Sequence, residues 1–261
     1  MSSLDVRREG AVASVFLNRP EVRNAFNDEV VAELTATFTT LGADPSLRAI
    51  VLGAHGSAFC AGADLAWMRA MADYTWAQNQ ADAQALADML WTIYRCPVPI
   101  VCRIQGDCYA GGVGLAAVCD VRVATDSVSF CLSETRLGLV PATIGPYVVR
   151  ALGESASRRY FTTAERFTAA QAQHAGLVHE VCADHELDAC VNGIVSAWLA
   201  NGPVATRAAK HLVQDLAGRP IDEELRADTA RRIADIRASD EAREGLQAFL
   251  QKRLPSWKGA A

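Results

Sequence analysis

Apolar positions follow two spacings along the chain, one typical of strands and one typical of helices. Continuous apolar runs at 11–17, 48–53 and 98–104 predict buried strands. Between Asn27 and Leu41 the apolar residues recur at intervals of three and four, which predicts a helix. The chain therefore begins with a strand, a helix and a second strand.

The alternation continues to about residue 185 and then changes. It predicts a helix at 76–94, a helix opened by glycines at 111–118, and strands at 119–124 and near 177–181. Strands that alternate with helices in this way favour an α/β layer fold with largely parallel, buried strands. The later segments show helical spacing only: 186–200, 203–217, 221–238 and 240–253. We therefore predict an α/β catalytic core over 1–185 and a helical region, of the kind that covers a site or forms an oligomer contact, over 186–261.

Composition is that of a soluble globular protein, with 51% apolar and 21% charged residues among 261. A net charge of −5 argues against nonspecific binding of nucleic acid, which requires a basic surplus. The sequence has no apolar run of about 18 residues for a membrane span and no segment of signal-peptide type. We therefore expect a cytoplasmic protein with no nucleic-acid or membrane partner.

Eight cysteines occur without a C-x-x-C pair and without histidines at metal-ligand spacing. This predicts reduced, mostly buried thiols and no metal site. Cys60 lies in a glycine-containing loop, but no motif supplies a histidine or aspartate partner for a nucleophile. We interpret it as a structural thiol.

Two glycine-containing loops connect predicted strands to predicted helices. The first, SAFCAGADL at 57–65, places Gly62 before Ala63 and Asp64, where a tight turn exposes N–H groups at a helix start. An ordinary turn with Asp64 as a helix cap would look the same. The second, QGDCYAGGVG at 105–114, brings three glycines to another helix start.

The second loop also contains a G-x-G-x-x-A pattern at Gly112, Gly114 and Ala117, with Glu134 about 20 residues further on, as in dinucleotide-binding proteins. The loop between the strand and these glycines is too long for that fingerprint, and the pattern lies mid-chain. A dinucleotide site is therefore disfavoured.

Five strings taken together resemble the crotonase family, also called the enoyl-CoA hydratase/isomerase superfamily. They are FCAGADL at 59–65, QGDCYAGGVGLAAVCD at 105–120, FCLSE at 130–134, LGLVPATIG at 137–145 and EGLQAFLQKR at 244–253. The resemblance covers essentially the whole chain. It implies a spiral of ββα units, a C-terminal helical region that mediates trimerisation, and a homotrimer or a dimer of trimers.

The resemblance also implies a chemistry. A coenzyme A thioester becomes an enolate whose oxygen is held by two backbone N–H groups, which fall here on Ala63 and Gly111. Glu134 moves a proton as general acid and base. Helix entrances rich in glycine suit such an oxyanion, and losing one donor typically costs about 3 kcal/mol. No cofactor is implied beyond the coenzyme A that the substrate carries.

The same resemblance assigns contacts to the acyl-CoA substrate. CoA contacts fall on two loops and on one C-terminal lysine: Arg23, Asn24, Ala25, Ala61, Gly62, Asp64, Leu65 and Lys252. The acyl group would lie near Gly112 and Gly114, with Trp67, Met68, Tyr109 and Tyr147 lining its pocket. Arg69 and Arg136 are the nearest candidates for binding a second carboxylate on the substrate.

One position departs from the hydratase pattern. Hydratases of the family use two glutamates, but the first aligns with Gly114 and only the second, Glu134, is present. Isomerases that move a Δ3 double bond to Δ2 also use one glutamate, so isomerisation is an alternative. The strings at 67–71, 111–115 and 139–153 look like bacterial glutaconyl-CoA hydratases.

That branch includes the 3-methylglutaconyl-CoA hydratases of leucine breakdown and the isohexenylglutaconyl-CoA hydratases of terpene breakdown. We therefore expect a lyase that hydrates a branched glutaconyl-CoA. A noncatalytic CoA-binding or RNA-binding member of the family is the alternative of another class.

Overall fold

A computed structural model describes residues 2–258. Within this range the strands are β1 Leu4–Glu9, β2 Val12–Leu17, β3 Ala49–Ala54, β4 Ala58–Cys60, β5 Ile100–Ile104, β6 Asp107–Tyr109, β7 Val121–Thr125, β8 Ser129–Cys131, β9 Arg166–Thr168 and β10 Glu180–Cys182. The helices are α1 Asp28–Ala43, α2 Leu65–Ala72, α3 Trp76–Arg95, α4 Gly111–Ala117, α5 Gly145–Thr163, α6 Ala169–His174, α7 Leu187–Ala200, α8 Pro203–Leu216, α9 Glu223–Ala238 and α10 Asp240–Leu250. Gly153, with φ 74°, interrupts α5 with a kink.

The strands form two sheets. The larger has the order β1-β2-β3-β5-β7-β10, in which only the β1–β2 pair is antiparallel. The smaller has the order β4-β6-β8-β9, in which β4, β6 and β8 are parallel and β9 is antiparallel. Chain segments therefore repeat as a strand in the larger sheet, a strand in the smaller sheet and a helix. This is the α/β fold with a largely parallel sheet that the sequence predicted.

The larger sheet is covered on both faces, which explains its continuous apolar runs. In β3, Ile50 and Leu52 face the main core beside α1 and α3, whereas Ala49 and Val51 face α7. All six residues of β3 are buried. The first helix after residue 185 thus packs directly on the sheet.

The helices after β10 are attached to the core by polar contacts as well. Lys210 of α8 extends its ammonium group to Asp120, at 2.7 Å from Oδ2, and to the carbonyl oxygen of Val98 at 3.1 Å.

Within residues 2–258 no helix has both the length and the apolar character needed to cross a membrane.

Candidate active site

The carboxyl ends of β4, β6 and β8 lie side by side at one edge of the smaller sheet. Cys60 pairs with Cys108 in the register of β4 and β6, and Tyr109 pairs with Cys131 in that of β6 and β8. Because the three strands are parallel, the segments that follow them leave the sheet at the same edge. Ala63, Gly111 and Glu134 all belong to those segments.

The loop after β4 leaves the N–H of Ala63 available. The N–H of Phe26 donates to the carbonyl oxygen of Gly62 and the N–H of Asp64 donates to the carbonyl oxygen of Phe26, both at 2.7 Å. Between these two bonds, the Ala63 N–H donates no hydrogen bond to any residue of the described chain. Gly62 has φ 95°, a conformation that favours glycine.

The loop after β6 begins α4 with a constrained turn. Ala110 has φ 48° and ψ −118°, which costs a non-glycine residue about 1–3 kcal/mol, and its N–H donates to Cys131 at 2.8 Å. Gly111 is the first residue of α4, where helical N–H groups have no acceptor within the helix. A Cβ on Gly111 would lie 3.0 Å from the ring of Phe26, so the absent side chain lets the two loops approach.

Glu134 starts a single 3-10 turn, Glu134–Leu137, after β8. Its Oε2 is buried and has no hydrogen-bond partner within residues 2–258. Burial raises the pKa of this carboxyl group above its ordinary value of 4.5, because water is removed from the charged form, and the group's own backbone N–H opposes the rise only in part. A carboxylate in this state is suited to taking up and releasing a proton.

Comparison with known proteins identifies the family. A family model described as enoyl-CoA hydratase/isomerase matches residues 7–260. The chain belongs to the enoyl-CoA hydratase/isomerase family.

Individual relatives agree with this assignment. The 2,3-dehydroadipyl-CoA hydratase of Escherichia coli is 32% identical over 262 residues, covering 99% of this chain and all of the relative. The enoyl-CoA hydratase ACTT6 of Alternaria alternata is 33% identical over 248 residues, covering 94% of this chain and 80% of the relative. A crystal structure of an enoyl-CoA hydratase from Shewanella pealeana superimposes with a TM-score of 0.95 at 38% identity, covering 98% of this chain and 96% of that one. The protein is thus an enzyme of a family whose named hydratases are lyases.

Helix α4 is closely packed at the position where the resemblance to hydratases places the first of two glutamates. Gly114 is buried in α4, and a Cβ there would lie 2.1 Å from Cγ2 of Ile144, the residue before α5. Ile144 is itself only 2% exposed. The space above Gly114 is therefore filled by an apolar side chain, which the sequence pattern did not reveal.

The loop predicted to contact CoA lies beside the Ala63 loop, since Ala61 donates its N–H to the carbonyl oxygen of Arg23 at 3.0 Å. Arg23 is exposed and pairs with Asp107 at 2.9 Å. Asn24 is buried, and its amide group donates to the carbonyl oxygens of His55 and Ala58, both at 2.8 Å. The structure thus places the Arg23 side chain at the surface and uses the Asn24 side chain to hold the loop.

Helix α2 carries the next group of predicted residues. Asp64 caps it by accepting the N–H of Ala66 at 2.8 Å, and Leu65 is 69% exposed. Trp67 packs against the main core and its indole N–H donates to Asp82 of α3 at 3.0 Å. Met68 is half-buried on the same helix.

Three predicted residues lie apart from this group. The ring of Tyr109 lies under the guanidinium group of Arg166, 5.4 Å from its carbon. Tyr147 packs on Tyr94, with ring centroids 5.3 Å apart, and lines a groove of about 930 Å³ at the far end of α4. Lys252 follows α10, and no hydrogen bond or ion pair within the described chain joins its side chain to the CoA loops.

Cys60 packs against Gly112 of the second loop. A Cβ on Gly112 would lie 2.8 Å from the Cβ of Cys60. Burial raises the pKa of the Cys60 thiol to about 12. A thiol that holds its proton so strongly is a poor nucleophile, in agreement with its interpretation as a packing residue.

Proposed function

We propose that the enzyme hydrates a branched glutaconyl-CoA thioester, such as 3-methylglutaconyl-CoA or isohexenylglutaconyl-CoA. The observation that supports this most is that Ala63, Gly111 and Glu134 lie in segments that leave the same edge of the smaller sheet. Within residues 2–258 the N–H groups of Ala63 and Gly111 donate no backbone hydrogen bond, and Oε2 of Glu134 is buried without a partner. Such a site offers donors for an enolate oxygen and a proton carrier for the neighbouring carbon.

In the proposed reaction the thioester oxygen lies between the N–H groups of Ala63 and Gly111. Water adds to Cβ of the double bond, and the electron pair moves through Cα to that oxygen. Glu134 takes the proton that the water releases and delivers it to Cα, so that the product gains one water in total. Because the donors are fixed before the charge develops, they stabilise the enolate more than the ground-state carbonyl.

The class of substrate is supported by the resemblance of 67–71, 111–115 and 139–153 to glutaconyl-CoA hydratases. The Escherichia coli relative is named for 2,3-dehydroadipyl-CoA, whose acyl chain also ends in a carboxylate. Arg69 on α2 is exposed and forms no ion pair within residues 2–258, so its guanidinium group is available for that carboxylate. Arg136 instead donates to the carbonyl oxygen of Ala164 at 2.5 Å.

A Δ3,Δ2-enoyl-CoA isomerase is the second candidate, and the packing of Ile144 over Gly114 favours it. Moving a double bond requires one base and no water. A site with a single carboxylate and an apolar side chain in place of the other meets that requirement.

An assay with paired substrates separates the two functions. We expect glutaconyl-CoA substrates to lose the absorbance of the conjugated thioester and to gain the mass of one water. If a 3-enoyl-CoA instead gains conjugation with no change in mass, while glutaconyl-CoA is not converted, the enzyme is an isomerase. Binding of acyl-CoA with no turnover of either kind would favour the noncatalytic alternative.

The charge at residue 69 can be tested in the same assay. Replacing Arg69 by methionine should raise KM for a dicarboxylic enoyl-CoA about tenfold, because the lost ion pair contributes to binding. KM for a monocarboxylic enoyl-CoA of equal length should not change. Equal effects on both substrates would assign the second carboxylate to another group.

We also propose that the enzyme acts in the cytoplasm as a trimer or a dimer of trimers assembled through the helical region 186–261. Apolar side chains at the end of α10 support this, since Phe249 is 80% exposed and Leu250 is 78% exposed. Free thiols at all eight cysteines suit a reducing compartment. Light scattering of the purified enzyme would give the number of subunits.

A further inference from the structure

Arg19 contacts both chain segments of the bridge between Phe26 and Ala63. One guanidinium nitrogen, Nη1, donates to the carbonyl oxygen of Ala25, and the other, Nη2, pairs with Oδ2 of Asp64, both at 2.8 Å. The sequence pattern gave no indication of this role, because Arg19 and Asp64 are far apart along the chain.

The contacts of Arg19 enclose the short parallel bridge between Phe26 and Ala63. Ala25 precedes one partner of the bridge and Asp64 follows the other. The bridge fixes Gly62 and Asp64 through their backbone groups, but it leaves the Ala63 N–H without an acceptor among residues 2–258. The direction of that N–H therefore depends on how firmly the two segments are held together.

Asp64 connects this bridge to α2. Its Oδ1 caps the helix through the N–H of Ala66 at 2.8 Å while its Oδ2 pairs with Arg19. The side chains of Arg19 and Asp64 are 20% and 12% exposed, so water screens the pair weakly. Two bonds in different directions hold Asp64, the residue next to Ala63.

Arg19 is held in turn by the buried residue Asn24. The side-chain oxygen of Asn24 accepts the backbone N–H of Arg19 at 2.9 Å, and its amide group donates to the carbonyl oxygens of His55 and Ala58. Hydrogen bonds thus connect the residue after β3 and the first residue of β4, through Asn24 and Arg19, to Asp64.

We propose that Arg19 is a positioning residue that orients the N–H of Ala63 toward the thioester oxygen. The proposal rests on the oxyanion role given to Ala63 in the proposed function. Positioning matters because moving a reacting group or a hydrogen-bond donor by about 1 Å can lower the rate about 100-fold. In this role Arg19 acts on Ala63 through its contacts with Asp64 and Ala25.

Two substitutions of Arg19 test this role. Arg19→Lys keeps the charge and can pair with Asp64, but a single ammonium group does not reproduce the planar fork that also reaches Ala25. Arg19→Gln removes the charge. We expect kcat to fall about 10-fold in Arg19→Lys and about 100-fold in Arg19→Gln, with KM changed less than about threefold.

A spectroscopic readout separates positioning from simple stability. In a Glu134→Gln background, which prevents turnover, bound cinnamoyl-CoA should show a red-shifted absorbance because the N–H donors polarise its carbonyl group. The red shift should shrink when Arg19→Lys is added. An unchanged red shift together with an unchanged kcat would overturn the positioning role, whatever happens to the melting temperature.

The control is Asp215→Asn. Asp215 of α8 is a similarly half-buried carboxylate that pairs with Arg95 at 3.0 Å and with Arg232 at 2.8 Å, among the helices α3, α8 and α9. This variant should lower the melting temperature without changing kcat or the red shift. If cinnamoyl-CoA bound to Glu134→Gln shows no red shift even with Arg19 present, the oxyanion site itself is wrong and the proposed function fails.

Discussion

Glu134 has a buried carboxylate oxygen with no hydrogen-bond partner within residues 2–258, which is an unfavourable arrangement for a merely structural residue. Two effects act on its pKa in opposite directions. Removal of water favours the protonated form, and the carboxylate's contact with its own backbone N–H favours the charged form. The first effect is larger, so the proton is bound more tightly than in an exposed glutamate.

Glu134→Gln should lower kcat about 10²- to 10⁴-fold, the usual contribution of a general acid and base. Since glutamine has nearly the same shape, KM should change little. Steady-state kinetics together with circular dichroism would check both points. Full turnover by a correctly folded Glu134→Gln enzyme would remove the role assigned to this residue.

The pH dependence of the enzyme should reflect the same residue. The ionised form is needed to accept a proton, so kcat/KM should fall with decreasing pH around a pKa above 4.5, and Glu134→Gln should lack that limb.

The stability of the folded enzyme should depend on pH in the opposite direction. A raised pKa in the folded state contributes stability that is fully present below the unfolded pKa and is lost as pH rises through the folded value. Urea unfolding at several pH values should therefore show that Glu134→Gln gains stability relative to the original enzyme as pH increases.

Helix α4 lies so close to Cys60 of β4 and to Ile144 that positions 112 and 114 have no room for a side chain. Cβ atoms at Gly112 and Gly114 would lie 2.8 Å from Cys60 and 2.1 Å from Ile144, respectively. Both distances are shorter than van der Waals contact, so the glycines bring the helix N-terminus against β4 and α5. The same close approach positions the Gly111 N–H.

Gly114→Ala should destabilise the protein by about 1–3 kcal/mol, because the new methyl group meets the buried side chain of Ile144. Chemical denaturation would measure this. Gly193→Ala in α7 is a matched control, because no other part of the described chain lies within 4 Å of the position of its Cβ, and it should stabilise the helix by about 0.5–1 kcal/mol. A tolerated Gly114→Ala would mean that Ile144 can move away, and that the site has room for a further side chain.

Most of the longer elements were predicted from the sequence, although the helix α5 Gly145–Thr163 was not, and neither were the short strands β4, β6 and β8. Strand β3, for example, is apolar throughout because both of its faces are buried, and the predicted range 48–53 differs from Ala49–Ala54 by one residue. Strands β4, β6 and β8 have three residues each, too few to show a period. Strand β1 was missed because most of its residues are polar or exposed.

At the scale of the whole molecule, Lys210 joins the helical region to the α/β core. Its side chain is 4% exposed, and Asp120 also accepts the N–H of Ile100 at 2.8 Å. The same carboxylate thus links the strands β5 and β7 to α8. Because Lys210 is buried and Asp120 is partly buried, this ion pair is sensitive to the loss of either partner.

Lys210→Met should lower the free energy of unfolding by about 3 kcal/mol, the low end for a buried pair, because Asp120, whose side chain is 25% exposed, would remain as an uncompensated charge. Urea denaturation would measure the loss, and hydrogen exchange should show faster opening of α8. Glu154→Gln is the control. Its ion pair with Arg158 is largely exposed, with side chains 81% and 79% accessible, and its removal should cost less than about 0.5 kcal/mol.

The sequence by itself determined the α/β class, the positions of most of the longer strands and helices, and the two glycine loops at helix entrances. These features are local: a buried strand must be apolar, and a tight turn that exposes N–H groups requires glycine. The sequence motifs also resemble those of the enoyl-CoA hydratase/isomerase family, and the match to the family model confirmed that membership.

Only the tertiary structure decided which groups meet. It paired Gly62 and Asp64 with Phe26 and left the Ala63 N–H available, placed Ile144 over Gly114, and joined Arg19 to Asp64. Each of these contacts connects residues about thirty or more positions apart. No local spacing encodes such a contact, because it depends on how the sheets and helices pack.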